Sequence, residues 1–260
     1  MRTTLLVDIG NTRIKWALLD GNRLARGRAA VHSGWRSGDY ARRLFAAVRP
    51  PGRAVVASVA GPQVDRAFAT AARRAGIAAH FVSVPRQGGG VTVGYLEPWR
   101  LGVDRFAAAV GAHEIFGGVP VCVVGVGTAM TIDLVGADGR HGGGVIVPAP
   151  GLMVETLLSQ THGIRRRARG GAAGGRGIFG RSTREAVERG ARYAAAALVD
   201  RAVEEASGPL GREPLVVLTG GGAGAVRPLL RSRCIAVPDL VLRGLAVLSR
   251  EATRSLSRLD

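Results

Sequence analysis

The segment Asp8–Lys15 holds the residues of this chain that are best suited to phosphate chemistry. It follows an apolar strand, and glycine at a strand-to-strand turn lets consecutive backbone amides point at an anion. Asp8, at the end of that strand, is placed to hold a hydrated Mg²⁺, which takes one or two carboxylates and keeps several waters. The segment therefore predicts binding of a magnesium-bound phosphate. Its candidate residues are Asp8, Ile9, Gly10, Asn11, Thr12, Arg13, Ile14 and Lys15.

Two later glycine segments repeat parts of this pattern. One follows the apolar run 119–126, and the other ends the run 214–219. The candidate phosphate contacts in them are Gly127, Thr128, Gly220 and Gly221. A turn without a ligand is the alternative for the first loop alone, because Asp, Gly and Asn are common turn residues, but agreement among the loops favours phosphate binding. No Rossmann or P-loop motif occurs in a strand–loop–helix setting, so both classes are excluded.

The charge balance also favours anionic partners. The 260 residues include 36 Lys+Arg against 19 Asp+Glu, and the formal charge of +17 suits nucleotides, phosphates, nucleic acid or anionic lipid. Lys15 is the only lysine, and it falls inside the phosphate motif. Because Ala, Gly and Arg are abundant throughout, part of the charge reflects composition. A nucleic-acid binder is therefore a rival supported by charge alone, since aromatic residues are only 5% and no recognition motif occurs.

Cysteine usage and hydropathy predict a cytoplasmic protein. Cys122 and Cys234 lie in apolar runs with no histidine at metal-ligand spacing, so we expect buried free thiols. No apolar run approaches the ~18 residues of a membrane span. Residues 1–10 lack the basic, apolar and small-residue pattern of a signal peptide. We therefore expect no membrane partner.

Hydrophobic periodicity predicts alternating strands and helices. In the first half we expect strands at 3–9, 13–19, 23–30, 53–59 and 79–84, helices at 38–48, 62–76 and 98–116, and a glycine-rich loop at 86–94. In the second half we expect strands at 119–126, 129–135, 140–147, 214–219 and 234–237, and helices at 151–160, 183–207 and 239–255. Three strands joined by tight turns recur after more than a hundred residues, which indicates a duplicated domain. We place the two lobes at 1–117 and 118–260.

Six motifs occur in order along essentially the whole chain. They are Asp8-x-Gly10-Asn11-Thr12-x-x-Lys15, Tyr95-x-x-Pro98-x-x-Leu101-Gly102-Val103-Asp104-Arg105, Gly127-Thr128-Ala129-x-Thr131, Gly142-Gly143-Gly144 with Pro150-Gly151, Thr183-x-x-Ala186-x-x-x-Gly190 and Thr219-Gly220-Gly221-Gly222. Together they resemble the type III pantothenate kinases, a family that includes the Bvg accessory factors. That family belongs to the superfamily of sugar kinases, actin and heat-shock chaperones.

The resemblance implies a fold and an activity. The fold is α/β, a duplicated ribonuclease-H-like (actin-like ATPase) fold with the active site in the cleft between two lobes. The activity is phosphorylation of pantothenate to 4'-phosphopantothenate, the first step of coenzyme A biosynthesis, with ATP and Mg²⁺ as cosubstrates. The resemblance also implies a homodimer.

The resemblance further assigns roles in the substrate pocket. Asp104 is implied as the proton acceptor, and Arg105 beside it as the residue that grips the pantothenate carboxylate, for which a guanidinium fork is suited. Tyr95, Gly102 and Val103 are implied to complete the pocket. The alternative for Asp104 is a helix-start aspartate favoured by the helix dipole.

Thr183 is implied to reach the substrate of the partner subunit. Its surroundings also have a structural interpretation, because Ser182 to Glu185 reads S-x-x-E, a capping box for the helix predicted at 183–207. Capping by Ser182 and substrate contact by Thr183 are compatible.

Gly125 departs from the family pattern. Many members carry an aspartate at this position, and it binds an activating monovalent cation, K⁺ or NH₄⁺. Glycine has no carboxylate to offer. We therefore predict weak or absent K⁺ dependence, or a cation site built from backbone oxygens.

Several alternatives stay open. The Arg/Gly-rich segment 163–181 is predicted to be a mobile loop, with RNA binding as its alternative. The chain could also be a regulatory homologue without activity, or a kinase for another small alcohol such as a sugar. Intact Asp8, Lys15, Asp104 and Arg105 argue for catalysis, and the short length favours pantothenate.

Overall fold

The structure is a computed structural model that describes residues 3–46, 51–170 and 177–256. The chain divides into two compact units. Unit 1 comprises the described residues within Met1–Gly117, Asp138–His141 and Asp239–Asp260, and unit 2 those within Gly118–Ala137 and Gly142–Pro238. Within the described ranges, no helix combines the length and the apolar character needed to cross a membrane.

Strands and helices alternate along both units. The strands are β1 (Thr4–Ile9), β2 (Arg13–Asp20), β3 (Arg23–Leu24), β4 (Arg28–Val31), β5 (Arg53–Ser58), β6 (Ala78–Phe81), β7 (Gln87–Gly88), β8 (Val91–Thr92), β9 (Val121–Val126), β10 (Ala129–Val135), β11 (His141–Pro148), β12 (Leu215–Thr219) and β13 (Cys234–Ala236). The α-helices are α1 (Ser37–Tyr40), α2 (Pro62–Arg74), α3 (Val103–Phe116), α4 (Pro150–Gln160), α5 (His162–Arg167), α6 (Thr183–Leu210), α7 (Ala223–Val226) and α8 (Leu240–Leu256). One π turn spans Ala41–Phe45, and 3₁₀ turns span Pro98–Arg100 and Arg227–Leu229.

The main sheets of the two units share one strand pattern. In unit 1 the order is β3-β2-β1-β5-β6, with β4 also paired to β2. In unit 2 the order is β11-β10-β9-β12-β13. In each sheet the first long strand pairs antiparallel with the second and parallel with the strand that returns after a crossover. The predicted duplication is therefore confirmed at the level of topology.

Each sheet is covered by helices over its own apolar core. In unit 1, alternate residues of β1 join an aromatic cluster in which Tyr40, Phe45 and Phe68 meet edge to face. In unit 2, alternate residues of β9 and β10 pack against the alanine and valine face of α6. Successive side chains of a strand point to opposite faces of its sheet, so one face of each sheet contributes to the core described here.

Most predicted elements agree with the observed ones to within three residues, but the expected strand at 23–30 is interrupted. β3 pairs Leu24 with Leu19, whereas β4 pairs Arg28 with Trp16. The register along β2 therefore shifts by one residue between the two short strands. One extra residue in such a ladder is a β-bulge, which breaks the pairing locally.

Other differences arise where turns interrupt predicted helices. The helix expected at 98–116 is a 3₁₀ turn followed by α3. The two are separated because the backbone is extended at Leu101, and α3 begins after its N-cap residue, Gly102. The helix expected at 38–48 is the short α1 continued by the π turn, and its last residues lie outside the described ranges. The expected loop at 86–94 contains the β7–β8 hairpin.

The Arg/Gly-rich segment 163–181 is also more structured at its start than a mobile loop. Its first residues belong to α5, which spans His162–Arg167. Near its other end, Arg189 of α6 donates a hydrogen bond to the Phe179 carbonyl at 2.6 Å. Residues 171–176 lie outside the described ranges.

The C-terminal helix α8 packs within unit 1, which differs from the predicted division at residues 117 and 118. A Cβ on Gly244 would overlap the carbonyl oxygen of Ala107, and a Cβ on Gly111 would overlap that of Leu240. The two helix backbones therefore approach closely through glycine. Arg53 of β5 adds a 3.0 Å hydrogen bond to the Ser249 hydroxyl. These contacts explain why residues 239–256, predicted in the second lobe, group with the first.

Replacement of Gly244 by alanine is expected to destabilise unit 1. The new Cβ has no space beside the Ala107 backbone, and overpacking of this kind costs about 3 kcal/mol. We expect a correspondingly lower urea midpoint by circular dichroism. Gly190→Ala is the matched control, because Gly190 is exposed in the interior of α6 with open space around it, and this change should gain about 0.5–1 kcal/mol. A wild-type midpoint for Gly244→Ala would contradict the close-approach interpretation.

Candidate active site

The turn between β1 and β2 places the predicted phosphate residues at one edge of the unit 1 sheet. The Gly10 amide donates to the Arg13 carbonyl at 3.0 Å, which closes a tight loop. Asn11 and Thr12 at its tip are exposed. Below the loop, Asp8 of β1 is the cross-strand partner of Lys15 of β2. Directly opposed residues on neighbouring strands lie side by side, so a carboxylate and an ammonium share the base of the loop.

Asp8 has an unusual protonation equilibrium. Burial raises its pKa from 3.8 to about 7, the nearby negative charge of Asp104 adds to the rise, and the Lys15 ammonium opposes it. A carboxyl group in such an environment gains by binding a cation, because the cation supplies the charge compensation that burial removes. Within the described ranges, no group of three or more His, Cys, Asp or Glu side chains could hold a metal ion. A single carboxylate such as that of Asp8 is a donor that suits Mg²⁺, which usually takes one or two carboxylates and keeps water and phosphate as its other ligands.

Asp104 lies in the first turn of α3 and belongs to the same electrostatic neighbourhood as Asp8. Its Oδ1 accepts a 2.9 Å hydrogen bond from the Arg105 amide. A Cβ on Gly102 would come within 2.7 Å of that same oxygen. The carboxylate is therefore folded back over a residue that must be small.

Arg105 and Tyr95, two of the predicted substrate residues, are in direct contact. The Arg105 guanidinium donates a 3.1 Å hydrogen bond to the Tyr95 hydroxyl. Arg105 is 7% exposed, and Val103 and Phe106 of the same helix are buried as well. A buried guanidinium at a helix start can bind a carboxylate with little competition from water.

His141 is a neighbour of this pair that sequence reasoning missed. Its buried ring is tilted against the Tyr95 ring at a centroid distance of 5.7 Å. The turn before β11 reaches this position because the Thr92 amide donates to the Gly139 carbonyl at 3.0 Å. The only sequence signal was the position of His141 directly before three glycines.

The two predicted loops of unit 2 lie beside each other. The strands that precede them, β9 and β12, are parallel neighbours, with Thr219 paired to Gly125. The Gly222 amide donates to the Val126 carbonyl at 3.0 Å, which ties the loops together. Unit 2 thus brings Gly127 and Thr128 close to Gly220 and Gly221. The sequence placed these residues in separate motifs.

Gly125 occupies the middle of a row of three strands. Its antiparallel partner is Thr131 and its parallel partner is Thr219. A Cβ added at Gly125 would come within 3.0 Å of the Thr131 hydroxyl. The Thr219 hydroxyl donates to the Pro238 carbonyl at 3.4 Å. The position therefore faces the Thr131 hydroxyl and the Thr219 methyl group, and it has no carboxylate of its own.

Thr183 is the first residue of α6, and the residues around it are tightly held. Ser182 caps the helix by accepting a hydrogen bond from the Glu185 amide at 3.2 Å, as the capping-box interpretation predicted. The Glu185 carboxylate accepts from the Arg181 amide at 2.8 Å instead of from Ser182. Glu185 also forms a buried ion pair with Arg189. These contacts fix the chain just before Thr183.

Comparison with solved structures identifies the class to which the fold belongs. A Baf family protein from Campylobacter jejuni matches with a TM-score of 0.61 and 18% identity, over 96% of this chain and 99% of that chain. The activator of 2-hydroxyisocaproyl-CoA dehydratase from Clostridium difficile, with bound ADPNP, matches at 0.58 and 14%, over 99% and 98%. A ROK family glucokinase from Streptomyces griseus matches at 0.51 and 13%, over 96% and 99%. The predicted duplicated ribonuclease-H-like fold of the actin-like ATPases and sugar kinases is confirmed.

Sequence comparison then identifies the family. A family model described as type III pantothenate kinase matches residues 4–205. The type III pantothenate kinase of Nitrosococcus oceani is 35% identical over 98% of this chain and 97% of its own length. That of Azoarcus sp. (strain BH72) is 39% identical over 94% and 90%. The chain belongs to the type III pantothenate kinase family, as its motifs predicted.

Proposed function

We propose that this chain transfers the γ-phosphate of ATP to the hydroxyl of pantothenate, forming 4'-phosphopantothenate for coenzyme A biosynthesis. The observation that carries the proposal is the arrangement within unit 1. There the negative charge of Asp104 contributes to the raised pKa of Asp8. Arg105, the next residue after Asp104, donates a hydrogen bond to the Tyr95 hydroxyl. Membership of the family supports both substrates and a divalent metal with ATP.

The proposed roles in nucleotide binding follow from the chemistry of the loops. Asp8 would hold Mg²⁺ through water, and the metal would neutralise charge on the transferred phosphate. Lys15 would add a point charge beside the phosphates. The amides of Asn11 and Thr12, and the predicted contacts Gly127, Thr128, Gly220 and Gly221, would bind phosphate oxygens and the nucleotide.

The proposed roles in pantothenate binding follow from the start of α3. Arg105 would pair with the carboxylate of pantothenate, while Tyr95, Gly102 and Val103 complete the pocket. Asp104 would accept the proton of the attacking hydroxyl as that oxygen bonds to the γ-phosphorus and the bond to the β-phosphate oxygen breaks. The hydrogen bond from the Arg105 amide orients the Asp104 carboxylate for this transfer.

We also propose a cytoplasmic homodimer in which Thr183 reaches the substrate of the partner subunit. The two cysteines support a reducing compartment, because Cys122 and Cys234 are both free thiols. The contacts that hold Arg181 and Ser182 support a fixed position for Thr183. Light scattering would test whether the protein is a dimer. Mixing of Thr183→Ala subunits with Asp104→Asn subunits would test the shared site, because activity returns in the mixture only if one site uses residues of both subunits.

The direct test of the activity uses the purified protein with Mg·ATP and pantothenate. We expect mass spectrometry to detect 4'-phosphopantothenate and an equal amount of ADP. Glucose and glycerol serve as competing acceptors, and we expect no phosphorylation of either. Absence of 4'-phosphopantothenate would overturn the proposed function, and a preferred sugar acceptor would replace it with another kinase activity of the same fold.

Activation by monovalent cations is expected to be weak or absent. Gly125 has no carboxylate, and the Thr131 hydroxyl beside it carries no charge to attract K⁺. Initial rates in K⁺, NH₄⁺ or choline at equal ionic strength should agree within about twofold, since a site of neutral oxygens binds a monovalent cation weakly.

The matched variant for this test restores the carboxylate. Because a side chain at position 125 would crowd the Thr131 hydroxyl, Gly125→Asp is combined with Thr131→Ala. The double variant is expected to gain K⁺ stimulation. Strong K⁺ stimulation of the wild type would contradict the prediction.

A further inference from the structure

A buried histidine supports the phosphate loop of unit 1 from its inner side. β4 runs antiparallel to β2, with Val31 paired to Arg13, so the chain leaves β4 beside the loop. The next residue, His32, is 3% exposed. Its backbone amide donates to the Thr12 carbonyl at 3.2 Å. Sequence reasoning gave this histidine no role.

The His32 side chain binds a second carbonyl of the same loop. Nε2 of His32 lies 2.6 Å from the Gly10 carbonyl oxygen. A carbonyl can only accept, so Nε2 must carry the proton. One residue therefore holds the carbonyl oxygens of both Gly10 and Thr12, on either side of Asn11.

Tyr40 sets the orientation and tautomer of this histidine. The Tyr40 hydroxyl lies 3.4 Å from His32 Nδ1. In the neutral imidazole that protonates Nε2, Nδ1 is an acceptor, so the hydroxyl donates to it. Burial, with the charges of Asp65 and Asp39, raises the pKa of Tyr40, which keeps the hydroxyl protonated. The hydrogen bonds therefore run in one direction, from Tyr40 to His32 to Gly10.

The surrounding rings leave this chain of hydrogen bonds little freedom to move. Tyr40 is fully buried and contacts Trp35 and Phe68 edge to face, at centroid distances of 5.3 and 5.7 Å. Trp35 also lies edge-on to His32 at 6.3 Å. The loop is thereby connected to the aromatic core of unit 1, although its tip is exposed.

The consequence concerns the amides of the loop. An anion site of backbone amides needs the amides turned toward the anion, and therefore the carbonyls turned away from it. We infer that His32, oriented by Tyr40, is a positioning residue that holds the Gly10 and Thr12 carbonyls inward and so fixes the loop for binding the phosphates of the nucleotide. The inference rests on the proposed function of this loop. It assigns a role to His32 and Tyr40, which both lie outside the six sequence motifs.

The test compares variants that differ in where a donor remains. His32→Gln keeps an amide near the position of Nε2, His32→Asn keeps one near Nδ1, and His32→Phe keeps none. We expect His32→Phe and His32→Asn to raise the Kd of Mg·ATP by about tenfold, as loss of one well-aligned hydrogen bond allows, and His32→Gln to restore it to within about threefold. Tyr40→Phe should fall between them.

The measurements separate positioning from general stability. Kd for Mg·ATP is measured by calorimetry without pantothenate, KM for each substrate by steady-state kinetics, and folding by thermal melting. The expected result is a rise in the Kd and KM of the nucleotide with the KM of pantothenate unchanged. Equal nucleotide affinity in folded His32→Gln and His32→Asn overturns the inference, as does a parallel change in both KM values.

The comparison stays decisive if His32→Phe does not fold, because the Gln and Asn variants form their own pair. Failure of the proposed function is also distinguishable. A wild type that binds Mg·ATP but does not phosphorylate pantothenate overturns the proposed function and leaves the positioning role to be decided by the binding data. A wild type that does not bind Mg·ATP overturns both.

Discussion

Asp104→Asn is expected to lower kcat for pantothenate phosphorylation by about 10³-fold, because a general base in phosphoryl transfer contributes about 10²–10⁴. Asparagine has the same shape as aspartate. Its side-chain oxygen can still accept the hydrogen bond that the Arg105 amide donates to Asp104 Oδ1 at 2.9 Å in the wild type. It cannot accept the hydroxyl proton. KM for ATP should change by less than about threefold, because the nucleotide contacts remain.

The geometry of α3 makes it possible to remove the proton acceptor without disturbing the local structure. The Asp104 carboxylate is folded over Gly102, where little space remains, so an isosteric change preserves the fold better than truncation. Glu114→Gln is the matched control, because Glu114 is exposed on the same helix and pairs with Arg250 at 2.9 Å. We expect wild-type melting for both variants. A kcat within tenfold of wild type in folded Asp104→Asn would show that another group accepts the proton.

Asp8→Asn is expected to have two opposite effects, on activity and on stability. Activity should fall by at least about 10²-fold, because the variant loses the carboxylate proposed to hold the metal. The free protein should become more stable at pH 8. The pKa of Asp8 is about 7 in the folded protein against an ordinary value of 3.8, with burial as the main cause. Between those values the folded chain keeps a proton that the unfolded chain releases.

The sign of the stability effect follows from this difference in bound protons. The folded state binds more protons than the unfolded state in this window, so the wild type loses stability as pH rises from about 4 to about 7. Because asparagine does not titrate, the variant does not lose this folding stability as pH rises. The gain at pH 8 is on the order of 2 kcal/mol, less than the full shift implies, because the attraction to Lys15 is lost and Asp8 keeps some contact with solvent.

Melting curves at pH 5 and pH 8 test this expectation. The melting temperature of Asp8→Asn should exceed that of wild type at pH 8, and the difference should shrink toward pH 5. Mg·ATP should stabilise the wild type more than the variant. Asp20→Asn, at the exposed end of β2, is the control. A variant that melts below wild type at pH 8 without nucleotide would contradict the argument.

The fold was predictable from sequence to the extent that it depends on local patterns. β1 and β9 show apolar runs that end in glycine turns, and each is followed by a second strand that pairs with it. The position of α8 was not predictable in this way. Its docking depends on the Gly111 and Gly244 backbones meeting across more than a hundred residues, and neither glycine differs locally from others in the chain.

The same distinction applies to the candidate site. Asp8, Asp104 and Arg105 could be named because they belong to motifs whose residue types match a chemistry. His32 and His141 could not, because each reaches its partner through strand register or a turn contact. A one-residue change in the pairing of β4 with β2 would move His32 to the opposite face of the strand. Contacts of this kind appear only when the register is known.

The contacts of α8 have a consequence for the order in which the protein can fold during synthesis. Arg53 and Ser249 are joined by a hydrogen bond although 196 positions separate them. The N-terminal sheet is made first, but its packing is completed by a helix that leaves the ribosome near the end of translation. The strands of unit 2 span residues 121–236, so unit 2 is itself made only shortly before α8. The packing of the first sheet therefore stays incomplete until almost the whole chain has been synthesised.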